Sequence, residues 1–371
     1  MAGVKKKVRY AVIGLGYFAQ AAILPAFSRA KNSELTALVS GDSAKLSELG
    51  EKYGVELLSS YEDVGHMLSV GAVDAVYIAL PNSMHREYTL RAAEQRVHVL
   101  CEKPMAVTEA ECQEMIRACD ENRVKLMIAY RLHFEAANLR AVEIAKSGQL
   151  GDLRFFSSDF SQQVKEGNIR LQRDLGGGTL YDLGVYCINA ARYLFRDEPT
   201  EVFAFSGSNG EARFREVDEM TTCVLRFPND RLATFTTSFG ATNVDTFQLL
   251  GTKGRLRLDP AYDFDAKLKL TTQIEGSSKQ QSFPKRDHVA AELIYFSDCI
   301  LKDEPPEPDG WEGLADVRIV RALYHAAETG QPVRLEPFER PRRPEAEQQI
   351  DRPAGWFKPE LVGAESPSGA S

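Results

Sequence analysis

The sequence predicts an α/β protein: a doubly wound parallel sheet in the N-terminal half, then an α+β domain with a mainly antiparallel sheet. Three observations carry this. The first 130 residues alternate short apolar strands with helical stretches, the rhythm of βαβ units. Some of these strands are near-continuous apolar runs, as at 73–80 (VDAVYIAL), which suits strands covered by helices on both faces. After Tyr130 the pattern changes to strand-like segments cut by turn signals, Pro228-Asn229-Asp230, Gly240 and Gly251-Thr252-Lys253-Gly254, which mark antiparallel hairpins.

Taken in order, strands are expected at 8–13, 34–40, 73–80, 97–101 and 124–129, with helices at about 17–30, 43–53, 84–95 and 108–122. A helix follows at 134–147. The run Gly176-Gly177-Gly178 then turns the chain into a helix reaching about Leu194. Hairpins fill 200–258, and two more helices follow at 287–302 and 313–328. From about Glu339 the chain is rich in Pro, Glu, Arg, Gly and Ser, so an extended or disordered tail is expected. The 371 residues suit two domains, placed at 1–130 and 131–338, with the tail at 339–371.

Composition narrows the class. Hydrophobic residues make up 43% and charged residues 26% of the chain, as in ordinary globular enzymes. A net charge of −8 argues against nucleic acid as a partner. No stretch is long and apolar enough to span a bilayer, and no secretory leader precedes the first strand, so a cytoplasmic enzyme is expected. Lys5-Lys6-Lys7 reads as a solvated stub. The six cysteines form no C-x-x-C pair and the six histidines no H-E-x-x-H; no metal site is expected.

The first strand runs into Gly14-Leu15-Gly16 and opens a helix at Tyr17-Phe18-Ala19. This is the Gly-x-Gly-x-x-Ala variant of the dinucleotide turn. Gly14 permits the sharp turn. Gly16 lets backbone amides approach a pyrophosphate at a helix N-terminus. The second strand ends at Ser40-Gly41, with Lys45 one helical turn beyond. A hydroxyl and an ammonium suit the 2′-phosphate of NADP better than the paired ribose hydroxyls of NAD, which an acid usually grips. Asp42 could be that acid or could cap the next helix. Pro81-Asn82 closes the 73–80 strand. Asn82 could reach the cofactor or cap the helix that begins near His85, and His85 is a candidate contact.

The chemistry gathers at two further motifs. Glu102-Lys103-Pro104 follows the strand at 97–101, and proline fixes that turn. Lys103 can polarise a substrate hydroxyl or favour ionisation of a neighbouring acid–base group. Glu102 could orient it. In the helix after the glycine run, Asp182, Tyr186 and Asn189 stand at i, i+4 and i+7, a polar stripe on an otherwise apolar helix. A phenol has a reference pKa of about 10, so Tyr186 needs a cation to work at neutral pH, and Lys103 is the candidate.

These motifs, Gly14-Leu15-Gly16, Glu102-Lys103-Pro104 and Gly177-Gly178 through Asp182-x-Gly184, resemble the glucose–fructose oxidoreductase/inositol dehydrogenase/rhizopine-catabolism (Gfo/Idh/MocA) family over roughly residues 8–335. Tyr186, the run Leu38-Val39-Ser40-Gly41 with Lys45, and Tyr130-Arg131 resemble its glucose–fructose and aldose oxidoreductase branch. The resemblance implies a Rossmann domain followed by an α+β domain whose large open-faced sheet makes a homodimer or homotetramer. It implies an NADP-dependent enzyme that moves a hydride between nicotinamide and an aldose or polyol, with Lys103, Tyr186 and Asp182 catalytic. Cofactor contacts are expected from Gly14, Leu15, Gly16, Tyr17, Phe18, Ser40, Gly41, Lys45, Tyr61, Leu80, Pro81, Asn82, His85, Glu102, Lys103, Arg131, Arg170 and Tyr186. An NAD-dependent glycosidase of the same family and a non-catalytic cofactor-binding regulator are the alternatives.

Overall fold

The computed structural model describes residues 6–355 and 360–368. The chain divides into two compact units: residues up to Arg131 with Asp287–Gly313 and Arg352–Ser366, and Leu132–Arg286 with Leu314–Asp351 and the segment from Pro367.

The first unit is built on a parallel sheet of β1 (Val8–Ile13), β2 (Ser33–Val39), β3 (Leu57–Ser59), β4 (Ala75–Ile78), β5 (His98–Glu102) and β6 (Leu126–Ala129), in the order β3-β2-β1-β4-β5-β6. That is the doubly wound order, and its switch point lies between β1 and β4. Tyr10 to Ile13 and Ala75 to Ile78 have no exposed surface, as strands covered on both faces require. The helices expected at 43–53, 84–95 and 108–122 appear as Ser43–Tyr53, His85–Glu94 and Glu109–Glu121. The third is closed by a capping box between Thr108 and Glu111. The helix expected at 17–30 is shorter and widens into a π turn at Ala19–Ile23 before Leu24–Ala26. β3 and the helix Val64–Ser69 were not expected. Three and six residues are too short for periodicity to register.

The sequence reading placed the helix His288–Lys302 in the second domain. It packs with the first unit. Ser297 Oγ lies 2.9 Å from the Tyr10 hydroxyl and 2.8 Å from Ser33 Oγ. Periodicity reveals that such a helix is amphipathic but not which sheet it covers.

The second unit carries a nine-stranded sheet. Its strands are β7 (Leu153–Ser161), β8 (Glu201–Gly207), β9 (Met220–Phe227), β10 (Arg231–Ser238), β11 (Val244–Gly251), β12 (Gly254–Leu258), β13 (Leu268–Ile274), β14 (Ser277–Phe283) and β15 (Val333–Arg334). They run in the order β14-β13-β12-β11-β7-β10-β9-β8-β15, antiparallel except for β7 against β10. β9 and β10 are joined at Asn229 and Asp230, with φ of 61° and 53°, left-handed positions that these residues tolerate. β7 was unforeseen, although it is central; its serines hide the strand pattern. β14, SSKQQSF, is exposed nearly throughout and carries no apolar signal at all.

One face of this sheet is buried under Phe156, Leu225, Phe235, Phe247 and Leu249. On the other face Phe205 is 69% exposed, with Phe155, Met220, Val224 and Leu232 beside it at 37–40%. β10 does not divide its apolar and hydroxyl side chains cleanly between the two faces. Leu232 stands on the open side with Thr234 and Thr236, while Thr237 is buried beside Phe235. The segment after Glu339, expected to be extended or disordered, packs in its described parts. Arg343 is 7% exposed and bonds Glu198, and Glu345 pairs with Lys146 and Arg196.

Candidate functional site

Each unit presents one set of polar groups. In the first, β1 enters Gly14 at φ +96°, a conformation that L side chains rarely adopt. A β-carbon there would lie 2.4 Å from the Ala79 carbonyl oxygen. The Gly14 N–H donates to Val39 O at 3.0 Å and the Ala79 N–H to Ile13 O at 2.8 Å, so the ends of β1, β2 and β4 meet at this turn. Gly16 is exposed, and a β-carbon on it would meet nothing within 4 Å. Tyr17 and Phe18 flank it, half-buried. A dinucleotide diphosphate fits this open backbone at the start of a helix.

Beside the turn, Ser40 Oγ accepts the Asp42 N–H at 3.2 Å, and Asp42 Oδ1 accepts the Lys45 N–H at 3.0 Å. Asp42 is thus the cap of the helix Ser43–Tyr53. A β-carbon on Gly41 would touch the Tyr61 ring at 3.2 Å; burial raises the Tyr61 phenol, with Ser40 pulling the other way. Leu80 is buried, while Pro81 and Asn82 are half-buried and lead into the short 3₁₀ turn Asn82–Met84.

His85, expected among the cofactor contacts, has no exposed surface. Its Nδ1 lies 2.9 Å from Pro104 O and its Nε2 3.0 Å from Leu80 O. Burial lowers its pKa against the pull of these carbonyls. It clamps the loop after β4 to the turn after β5, which holds Lys103. Lys103 is half-buried and precedes a cis proline bond. The Tyr77 hydroxyl donates to Glu102 Oε1 at 2.7 Å. Burial pushes the Glu102 carboxyl up, against Lys103, Tyr77 and Arg131, which pull it down. Arg131 is 5% exposed and donates to His288 Nδ1 at 3.1 Å. Burial and that guanidinium push His288 down to about 3, so it is a neutral acceptor.

Sequence reasoning missed Glu292 in this cluster. It is 1% exposed, and among the described residues neither carboxyl oxygen meets a hydrogen-bond partner of normal geometry. Burial first, then Glu102 and Asp287, push it well above the usual range, while Arg131 and Tyr77 pull the other way. A lone acid inside the apolar run Val289-Ala290-Ala291-Glu292-Leu293-Ile294 was the signal available.

In the second unit the glycine run works through close contact. A β-carbon on Gly177 would lie 2.4 Å from Arg170 O, and one on Gly178 2.3 Å from the Tyr324 hydroxyl. The Gly178 N–H donates to Arg170 O at 3.0 Å. This seats Arg170, whose Nε donates to Asp182 Oδ2 at 2.6 Å; Gln162 Nε2 donates to the same oxygen at 3.2 Å. The helix starts as a π turn, Leu180–Gly184, and continues as α over Val185–Phe195. From Gly178 to Phe195 every residue is buried except Asp182 and Tyr186. The Tyr186 ring packs edge-on against Phe160 at 5.5 Å and tilted against Tyr262 at 5.7 Å.

Asn189, the third member of the expected stripe, belongs to the interior. It is 4% exposed, accepts from His133 Nε2 at 2.8 Å and donates to Asp316 Oδ2 at 3.0 Å. Asp316 also accepts from Arg192 Nη1 at 2.6 Å. The wide π turn breaks the i, i+4, i+7 spacing on which the stripe rested. Among the described residues no group of three or more His, Cys, Asp or Glu is placed to hold a metal, and no helix is long and apolar enough to cross a membrane.

Comparison with known proteins matches residues 8–130 to the model of an oxidoreductase family with an NAD-binding Rossmann fold. Residues 138–257 match the GFO/IDH/MocA C-terminal domain. The D-xylose 1-dehydrogenase [NADP(+)] of Haloarcula marismortui is 34% identical over 337 residues, 89% of this chain and 93% of the relative. The crystal structure of aldose-aldose oxidoreductase from Caulobacter crescentus, complexed with glycerol, superposes with a TM-score of 0.85 at 38% identity, over 89% of this chain and 100% of that one. A 3-ketoreductase from Actinomadura kijaniata in complex with NADP and TDP-benzene gives 0.80 at 26% identity, over 86% and 98%.

A carboxyl whose folded pKa lies above its unfolded value binds more protons folded than unfolded between the two, so stability falls as pH rises through that window. For Glu292 the window opens at its ordinary value of 4.5 and extends upward. Melting temperatures of the wild type should therefore fall, relative to those of Glu292→Gln, as pH rises from about 5 to 8. Parallel curves would show that Glu292 carries no such burden.

Proposed function

This chain belongs to the GFO/IDH/MocA oxidoreductase family, and from that premise we propose that it is an NADP-dependent oxidoreductase acting on an aldose or polyol, with Tyr186 as its acid–base group. The observation that carries the chemistry is the exposure pattern of one helix: between Gly178 and Phe195 only Asp182 and Tyr186 are half-buried, and every other residue is buried. The NADP-dependent xylose dehydrogenase and the aldose oxidoreductase among its relatives support a sugar substrate.

NADP, when bound, supplies the hydride acceptor or donor. Gly14, Leu15, Gly16, Tyr17 and Phe18 would hold its diphosphate; Ser40, Gly41 and Lys45, backed by Tyr61, its 2′-phosphate. Leu80, Pro81 and Asn82 would line the ribose. Glu102, Lys103, Arg131 and Arg170 would serve the nicotinamide end. The use of Asp42 Oδ1 as a helix cap supports NADP over NAD, whose enzymes set an acid against the ribose hydroxyls.

In oxidation Tyr186 takes the proton from the sugar hydroxyl at the reacting carbon; in reduction it returns it. Lys103 favours the phenolate. Asp182, held from one side by Arg170 and Gln162, accepts a hydrogen bond from a substrate hydroxyl and sets the sugar's orientation. Phe160 and Tyr262 fix the plane of the Tyr186 ring.

The same reading assigns the open sheet face to a homodimer or homotetramer. Phe155, Phe205, Met220, Val224 and Leu232 stand on neighbouring strands, and contiguous exposed apolar groups mark association surfaces. Light scattering at micromolar concentration should report a dimer or larger; a monomer would refute this.

Tyr186→Phe keeps the ring and removes the proton carrier. Turnover should fall at least about a hundredfold, the lower end for a general acid–base group, with cofactor affinity little changed. Lys103→Met should lose a similar factor and move the remaining pH optimum upward. Near-normal turnover in Tyr186→Phe would make the phenol structural. Lys45→Ala should weaken NADP and leave NAD nearly unchanged in an equilibrium titration. Equal losses would remove Lys45 from the 2′-phosphate site.

A further inference from the structure

We propose that residues 360–366 form the outer wall of the site for the 2′-phosphoadenosine end of NADP, so that the cofactor enters and leaves only when this segment lifts. The inference rests on the NADP reading above and adds a part of the chain that lies far from every nucleotide motif.

The anchor is Gln20, 1% exposed in the helix that follows the glycine turn. Its Nε2 donates to Leu15 O at 2.9 Å, inside the phosphate-binding turn, and to Val362 O at 2.8 Å. Its Oε1 accepts the Val362 N–H at 2.8 Å. One buried amide thus ties the turn to both backbone groups of Val362, leaving none of the three unsatisfied.

On either side of that anchor the segment follows the helix Ser43–Tyr53. Lys52 Nζ, near the helix end, donates to Glu360 O at 3.0 Å. Gly363, at φ +53°, comes down on the helix start: a β-carbon there would lie 3.1 Å from Lys45 Cε, 3.7 Å from Lys45 Nζ and 3.6 Å from Asp42 Oδ2. The lengths agree. Three residues of extended chain reach about 10 Å, and the seven-residue rise from Lys45 to Lys52 is also about 10 Å. The segment therefore lies along the helix, over the lysine expected to read the 2′-phosphate.

Such a cover acts on exchange rates. A group that must move aside for both entry and exit slows both. A plug that competes with NADP slows entry and leaves exit alone. Val362→Pro deletes the N–H donated to Gln20, whereas Val362→Ala keeps both backbone groups. Each variant, with a chain lacking residues 360–371, is loaded with NADPH and chased with excess NADP in stopped-flow fluorescence. NADPH release should quicken roughly two- to tenfold in Val362→Pro, the range one hydrogen bond supports, and further in the shortened chain. Val362→Ala should release like the wild type. Unchanged release in the shortened chain overturns the proposal, as does tighter NADPH binding with unchanged release. Failure of the wild type to bind NADPH would instead strike the cofactor reading.

Discussion

The first unit depends on how closely two strand ends pass. At Gly14 the backbone of β1 turns within 2.4 Å, measured from a notional β-carbon, of the Ala79 carbonyl that ends β4. Any side chain there would push apart the two strands whose divergence forms the ligand crevice of a doubly wound sheet. The backbone bonds from Gly14 to Val39 and from Ala79 to Ile13 hold the same junction from the other direction. The glycine turn, the Ser40–Lys45 corner and the loop before His85 are all placed from it.

The second unit answers with burial of charge. Arg192 has no exposed surface and lies between Asp316 at 2.6 Å and Glu198 at 2.8 and 2.9 Å. Asp316 in turn holds Asn189, and Asn189 holds His133. Buried ion pairs add little net stability over apolar packing, yet removing one partner strands the other. Such a network therefore fixes geometry more than it adds free energy. Here it locks the helix that carries Asp182 and Tyr186, while the glycine run locks its start.

Much of this was legible in the sequence, for identifiable reasons. Gly14-Leu15-Gly16 could be read because only glycine satisfies the turn and the open approach together. Strands such as β4 could be read because burial on both faces demands unbroken apolar runs. Lys103 and the Asp182–Tyr186 pair stood out as polar groups where packing alone does not ask for them. What could not be read depends on long-range partners. The clamp role of His85 needs two carbonyls on separate loops. Asn189 shared a stripe with Asp182 only for a regular α-helix, and the π turn removed that premise. β14 is polar because it is an edge, and β7 hides among serines. Glu292 was visible as an oddity, but its meaning required Glu102 and Arg131 beside it.

The discontinuity of the first unit bears on biosynthesis. Its six strands lie before residue 130, but the helix His288–Lys302 that meets Tyr10 and Ser33, and the strand of chain that meets Gln20, come after residue 287. During synthesis from the N-terminus the sheet emerges well before its cover. In that interval the nascent domain presents Tyr10 and the apolar residues around it to solvent, and synthesis must pass residue 302 before the surface can close. Strands β7 to β14 of the second unit are thus made before the first unit can close over its own sheet.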